Sequence, residues 1–296
     1  MSKCIFIILI SAIVANTCLA ADYVAGRKAA MELVKSNKQE DALSALTNLA
    51  FSAATSDFQK SDALEQAALC ANLLKQYDRA LDLAAQIPLK PISKKCRMNI
   101  LFENRKFKEL IDEFKNENIE SWPGQENTVG EGFYYRGMAC FQWNDGTNAV
   151  KDLKKAAEYL ADEALLGQAC LRLGDACLNK INDEPQALDA YLKAIKAANA
   201  GGWIKSTASV SAAGILRKQG KFDEAFRILE NAGAGKMEGY WGFVMLASWA
   251  DTLAAQGKKA EATAKYKKAL SLKGVNEAQK KEAEKALQTL SAGVQP

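Results

Sequence analysis

Along most of this chain apolar positions recur every three to four residues, and nowhere do they alternate with period two over a useful length. The first pattern gathers side chains on one face of a helix, whereas the second would mark a strand. Within the helical pattern one unit returns seven times: a small or apolar residue, a larger one four places on, and a small or apolar one three places later. Ala187-x3-Tyr191-x2-Ala194 and Ala262-x3-Tyr266-x2-Ala269 are the clearest copies. Ala149-Leu153-Ala156 and Ala225-Leu229-Ala232 follow the same form, while Ala42-Leu46-Leu49, Ala80-Ala84-Ile87 and Leu110-Phe114-Glu117 are looser. Their first residues are separated by 38, 30, 39, 38, 38 and 37 positions. A near-fixed period of this size predicts an all-α solenoid, in which each repeat packs only on its neighbours.

A second helical run precedes each unit. The last copy reads Trp249-Ala250-x2-Leu253, then Gln256-Gly257; the one before reads Ala212-Ala213-x2-Leu216, then Gln219-Gly220. Leu173-Gly174-x2-Cys177 and Arg136-Gly137-x2-Cys140 occupy the same slot, as do Ala29-Ala30, Ala67-Ala68 and Arg97-Met98. Gly or Ala at a helix crossing lets two antiparallel helices approach closely, and the larger residue of the facing helix fills the gap. Gly220 and Gly257 are expected to end the first helix of their repeats, because glycine accepts the left-handed conformation found there. The short turn then forces an antiparallel hairpin.

These residues resemble the tetratricopeptide repeat. Leu173-Gly174, Gly220-Lys221-Phe222-Asp223-Glu224-Ala225 and Ala262…Tyr266…Ala269 match its pattern closely, and the resemblance runs from residue 23 to about 292. The chain departs from the family in a stretched period, in the scarcity of the leading tryptophan, in a repeat-ending proline present only as Pro88, and in a short third repeat. The resemblance implies a right-handed superhelix of about seven two-helix repeats. It also implies non-catalytic work, with a protein or peptide held on the concave face lined by the first helices. Carried onto this sequence, the candidate contacts are Lys95 and Asn99, then Tyr134, Met138 and Phe141, then Leu171, Asp175 and Leu178, then Arg217 and Asp251. Lys95 with Asn99 resembles half of the family's clamp for a peptide carboxylate. Glu131 and Tyr135 stand where the completing base belongs, so carboxylate capture is not expected. Tyr134, Met138 and Phe141 form an apolar stripe that suits either a bound peptide or the packing of neighbouring repeats.

The repeats are read at 23–56, 57–90, 91–122, 126–163, 164–200, 201–235 and 236–274. Val275 to Ala292 reads as a capping helix rich in Lys, Glu and Gln. Ser121-Trp122-Pro123-Gly124 breaks the pattern and divides the array into 21–122 and 123–274, with 275–296 as cap and tail. Residues 1–20 are read as a secretory signal. Lys3 precedes an apolar run from Cys4 to Ala15, and Cys18-Leu19-Ala20 supplies a small-x-small end, with cleavage after Ala20. The expected location is therefore periplasmic or extracellular, with no stable membrane insertion after cleavage.

Composition narrows the chemistry further. The net charge of +4 falls to +3 when Lys3 leaves, which implies no nucleic-acid partner. Nine lysines between Lys258 and Lys285, interleaved with glutamates, read as solvated helix faces. The chain has no histidine, which removes imidazole acid–base catalysis, His-paired nucleophiles and imidazole metal sites. No Cys-x2-Cys and no phosphate-cradling glycine loop occur, so no catalytic residue, metal site or cofactor is assigned. Five cysteines remain after Ala20: Cys140 and Cys177 read as buried thiols, and a Cys70–Cys96 bridge stays open. The five tryptophans fall at inconsistent slots and are expected to pack in core and loops. The leading reading is a monomeric scaffold of the cell envelope; the alternatives are a self-assembling envelope component and a helical glycan-active enzyme.

Overall fold

A computed structural model of the chain describes residues 22–51, 56–123, 126–197, 201–235 and 237–292. The expectations for residues 1–20, and for the Pro-Gly step at Gly124, lie outside the described residues. Among those described there is no strand. The helices are α1 (22–35), α2 (Gln39–Ala50), α3 (Asp57–Leu73), α4 (Tyr77–Ala85), α5 (Lys90–Glu103), α6 (Phe107–Phe114), α7 (Glu126–Gln142), α8 (Gly146–Tyr159), α9 (Glu163–Lys180), α10 (Glu184–Lys196), α11 (Gly202–Lys218), α12 (Phe222–Asn231), α13 (Gly239–Ala255), α14 (Lys259–Leu270) and α15 (Glu277–Ser291). They form two compact units, one up to Ala139 and one from Cys140.

Each unit is a stack of antiparallel hairpins, the arrangement of an α-solenoid. In the first, α3 packs on α4 and on α2, and α5 packs on α3, α4 and α6. In the second, α9 pairs with α10, α11 with α12 and α13 with α14; first helices also stack on first helices, α9 on α11 and α11 on α13, and α15 closes on α13 and α14. The periodic positions of the sequence form the interior. Ala42, Ala80, Leu110, Ala149, Ala187, Ala225 and Ala262 are all fully buried, and so, or nearly so, are the larger residues four places on.

The turn inside every hairpin shares one backbone device. Asn37, Lys75, Arg105, Asn144, Asn182, Gly220 and Gly257 each have positive φ, between 57° and 85°. Each stands five residues before the first member of its repeat unit. In six of the seven, the amide that follows donates to the carbonyl five residues back, as in Lys38 to Leu33, Gln76 to Ala71 and Lys106 to Leu101, at 2.8–2.9 Å. This bond satisfies a carbonyl the helix end leaves open. Asp145, Asp162 and Asp183 cap the next helices by accepting from backbone amides three residues on, and Ser56 and Asn276 form capping boxes.

Close helix contact falls where the small residues predict it. A Cβ on Gly174 would lie 2.5 Å from Cε1 of Tyr191, so the ring of α10 rests directly on the α9 backbone. A Cβ on Gly132 would lie 2.6 Å from the Trp122 ring, which is buried against α7 and donates from Nε1 to Glu117 at 2.7 Å. The other tryptophans correct the expectation of uniform packing. Trp241 and Trp249 are half-buried, but Trp143 is 54% exposed and Trp203 39%. Both stand at helix ends, Trp143 just past α7 and Trp203 at the second residue of α11. The five described cysteines are free and buried, and Cys70 and Cys96 are not bridged. Burial pushes the Cys170 and Cys177 thiols up to about 11, so neither is a thiolate near neutrality.

Candidate functional site

The polar side chains of the first helices are organised differently in the two units. In the first unit they saturate one another. Arg27 of α1 grips Asp62 of α3 through both carboxylate oxygens, and the Tyr23 hydroxyl donates to the same carboxylate at 2.6 Å. Burial works against the Asp62 carboxylate, but the bonds from Arg27 and Tyr23 overcome it and hold its pKa below the usual range. One helix further, the Lys95 ammonium on α5 is held between Glu65 of α3 and Glu131 of α7, the latter at 2.9 Å. Burial would lower the Lys95 pKa, yet these two carboxylates raise it, so the ammonium stays charged. Glu65 itself is pushed up by burial.

The sequence-derived candidates therefore sit in distinct environments. Lys95 is 8% exposed and committed to two carboxylates, and Asn99 is half-buried one turn along. Glu131, the residue that stands in place of a second base, joins Glu65 in pairing Lys95. Tyr134 and Met138 are buried, at 8% and 5% exposure, with Tyr134 edge-on to Tyr135. Of the apolar stripe, Phe141 is half-buried, with the Lys180 ammonium 5.1 Å from its ring. Leu171 is fully buried and Leu178 half-buried. Asp175 of α9 accepts from the Tyr191 hydroxyl at 3.0 Å and from Arg172 at 3.0 Å, which ties it to its own hairpin. Asp251 of α13 repeats the device, accepting from the Tyr266 hydroxyl. Burial, and then the facing aspartate, raise both phenol pKa values, so each tyrosine remains the proton donor.

Arg217 and Asp251 come together in the second unit, 3.6 Å apart, on the wall of a groove of about 140 Å³. Val210 and Arg217 come from α11, Glu282 from α15, and Phe243, Val244, Ala247, Ser248 and Asp251 from α13. On α13 the run Val244, Ala247, Ser248, Asp251 has helical one-face spacing, so one stripe of that helix forms the floor. Ser248 is 5% exposed and its Oγ has no hydrogen-bond partner. The Tyr77 and Ser209 hydroxyls are in the same condition. Ser248, Val244 and Glu282 were not singled out from sequence; the spacing on α13 was the available signal. A larger groove of about 370 Å³ lies between α8, α9 and α10, rimmed by Lys154, Lys193, Lys196, Glu158 and Glu163 over Leu166 and Leu173. Lys193 and Glu158 are already paired there, with Asp189 and Lys155.

No group of acidic or cysteine side chains among the described residues is placed to hold a metal ion, and no described helix is long and apolar enough to cross a membrane.

No protein-family model matches the chain, and no curated protein is similar to it. Among solved structures it is similar to a tetratricopeptide repeat protein from Parabacteroides merdae, at 14% identity over 91% of this chain and 98% of that one, with a TM-score of 0.44. It is also similar to the TPR domain of P58(IPK), at 15% identity over 92% of this chain and 89% of that one, with a TM-score of 0.27. The hairpin-repeat architecture of this chain rests on its own helices: the period in the sequence, the left-handed turn in each hairpin and the buried small residues at the crossings.

Proposed function

We propose that the protein is a non-catalytic scaffold that holds a protein or peptide partner on the first-helix face of its second unit. The observation that carries this reading is the groove between α11, α13 and α15, where the half-buried Val210, Val244 and Ala247 meet Arg217, Asp251 and Glu282. The histidine-free composition argues against imidazole chemistry, and hairpin arrays present extended surfaces suited to binding. We further propose export to the cell envelope, on the composition of residues 1–20.

Val244→Glu tests the scaffold reading, since Val244 is half-buried on the groove floor and its replacement adds bulk and charge there. Wild-type protein cross-linked in envelope extract should yield partners that the variant loses, with hydrogen exchange unchanged outside α11, α13 and α15. Recovery of the same partners by the variant would remove the groove from the reading. N-terminal sequencing of exported protein beginning at Ala21 supports the location, and a chain still beginning at Met1 opposes it. Self-association is the second reading. It draws on Val24, Phe51 and Phe58, which are half or more exposed at the first-unit end. Light scattering that shows a constant monomer across concentrations opposes it.

A further inference from the structure

We infer that the groove between α14 and α15 docks an acidic amphipathic helix of a partner protein, seated where the second helix of an eighth repeat would lie. This site is separate from the groove at Arg217 and Asp251 and does not rest on the reading of that groove. The sequence of α15 places it in the array. Leu173-Gly174-x2-Cys177, Ala212-Ala213-x2-Leu216 and Trp249-Ala250-x2-Leu253 mark the crossing in three successive first helices, and Ala286-Leu287-x2-Leu290 follows 37 residues after the last. α15 also packs on α13 and α14, as α13 packs on α11 and α12. It therefore holds a first-helix position. α9, α11 and α13 are each covered by the second helix that follows them, whereas no helix follows α15 among the described residues.

The seat left open has a defined chemistry. Its α14 wall carries Lys259, Ala260, Thr263 and Lys267, one face of that helix by spacing, and its α15 wall carries Leu287 and Leu290. The space between them is about 580 Å³, room for several side chains. At the α9–α10 crossing a small residue of the first helix, Gly174, faces a large one of the second, Tyr191. Here the large residue stands on the first helix, as Leu287, and takes up part of the gap that a tyrosine fills elsewhere. A docked helix fits with the sizes exchanged, presenting alanine to Leu287. The charge is one-sided as well. Both charged residues of the lining are lysines, and no carboxylate lines the groove. Lys259 and Lys267 lie about 12 Å apart along the α14 axis, so acids two turns apart on the docked helix would reach both. An apolar stripe of small residues flanked by acids is the complement of this seat, in the helix-in-groove mode of recognition.

Methyl NMR of the purified protein tests this with three peptides built on the α14 sequence. The first has every lysine replaced by glutamate and the tyrosine by alanine. The second keeps the lysines beside the same alanine, and the third has the glutamates but keeps the tyrosine. The first should shift the methyl signals of Ala260, Thr263, Leu287 and Leu290 and should bind about tenfold more tightly than either of the others. Lys259→Gln together with Lys267→Gln should weaken its binding about five- to tenfold and leave the melting temperature in place, since both side chains are exposed. Leu287→Ala should turn the preference towards the tyrosine peptide, which reads size matching apart from charge. Equal or tighter binding of the lysine peptide, a preference of the wild-type chain for tyrosine, or no shift of these methyls by the first peptide each overturn the inference. So does a shift of the same signals on dilution of the chain alone, which would assign the groove to a second copy. Binding that requires removal of residues 293–296 would assign it to the chain's own tail and overturn the inference equally.

Discussion

Replacing Gly174 by alanine should destabilise the α9–α10 hairpin, and removing the facing ring should reverse the sign. The added Cβ would sit 2.5 Å and 2.6 Å from Cε1 and Cδ1 of Tyr191, against an ordinary carbon contact of about 3.5–4.0 Å. The two helices would have to part by roughly 1 Å at their crossing, and overpacking of this kind costs about 1–3 kcal/mol. Alanine in a helix interior is intrinsically better than glycine by about 0.8–1 kcal/mol, which offsets part of that. The net expectation is a loss of up to about 2 kcal/mol. With Tyr191→Ala in the background the clash is gone and only the propensity remains, so Gly174→Ala should then stabilise by about 0.5–1 kcal/mol. Position 250 is the internal control. Ala250 holds the equivalent slot against Tyr266, so Ala250→Gly should cost about 1 kcal/mol and gain nothing from the space it opens. Amide exchange resolves the effect locally, because coupling between repeats reaches only neighbours. The single and double variants should lose and gain protection in α9 and α10, with α13 and α14 unchanged. The same sign and size of Gly174→Ala in both backgrounds would refute the close-crossing argument, as would protection lost evenly along the chain.

Three further outcomes are expected. Lys75→Gly and Arg105→Gly should each stabilise by about 0.5–1 kcal/mol, because both residues hold φ near +60°, where a side chain is strained; an unchanged or lower melting temperature would contradict the turn geometry. Asp62→Asn should cost about 1–2 kcal/mol at neutral pH. The folded pKa of Asp62 is lowered, so its contribution is present above the unfolded value near 4 and is lost as pH falls through the folded one; the cost of Asp62→Asn should therefore vanish in acid, and a cost that persists there would exclude the Arg27 and Tyr23 pairing. Tyr134→Ala should lose on the order of 3–5 kcal/mol, since the ring is buried; a near-normal thermal melt would instead place it on an open surface.

The period of the fold was legible because it is written in burial. An alanine that must lie under a crossing helix leaves little choice of residue, so Ala149, Ala187, Ala225 and Ala262 recur with little variation. The turns were legible only in part. Gly220 and Gly257 announce a left-handed residue, whereas Asn37, Asn144 and Asn182 are tolerated there and Lys75 and Arg105 are not marked by residue type at all. The position of these residues, five before each repeat unit, carries the information that their identity lacks. Trp122 packs, as expected of the tryptophans, but the gap at Gly132 that receives its ring is a pairing no spacing rule points to.

The site was less legible because the same residue types serve packing and recognition. Tyr134 and Met138 fit a peptide groove as readily as a helix interface, and only their burial separates the two. Lys95 looked like half of a carboxylate clamp, yet in a stacked array each first helix faces two neighbours, and here both supply glutamates. A charge so matched has little attraction left for a partner, while removing one member of a buried pair strands the others. In the second unit Glu282 has no ion-pair partner among the described residues, and Ser248 lies buried in the floor of the same groove. Neither residue is conspicuous alone: serine suits a helix–helix contact, and glutamate on a lysine-rich last helix reads as solvation. Their meaning comes from sharing a groove with Arg217 and Asp251, and the α13 spacing of Val244, Ala247, Ser248 and Asp251 was the part of that arrangement present in the sequence. Charge matching therefore distinguishes the first-helix face around Lys95 from the groove at Glu282, where one carboxylate stays unpaired among the described residues.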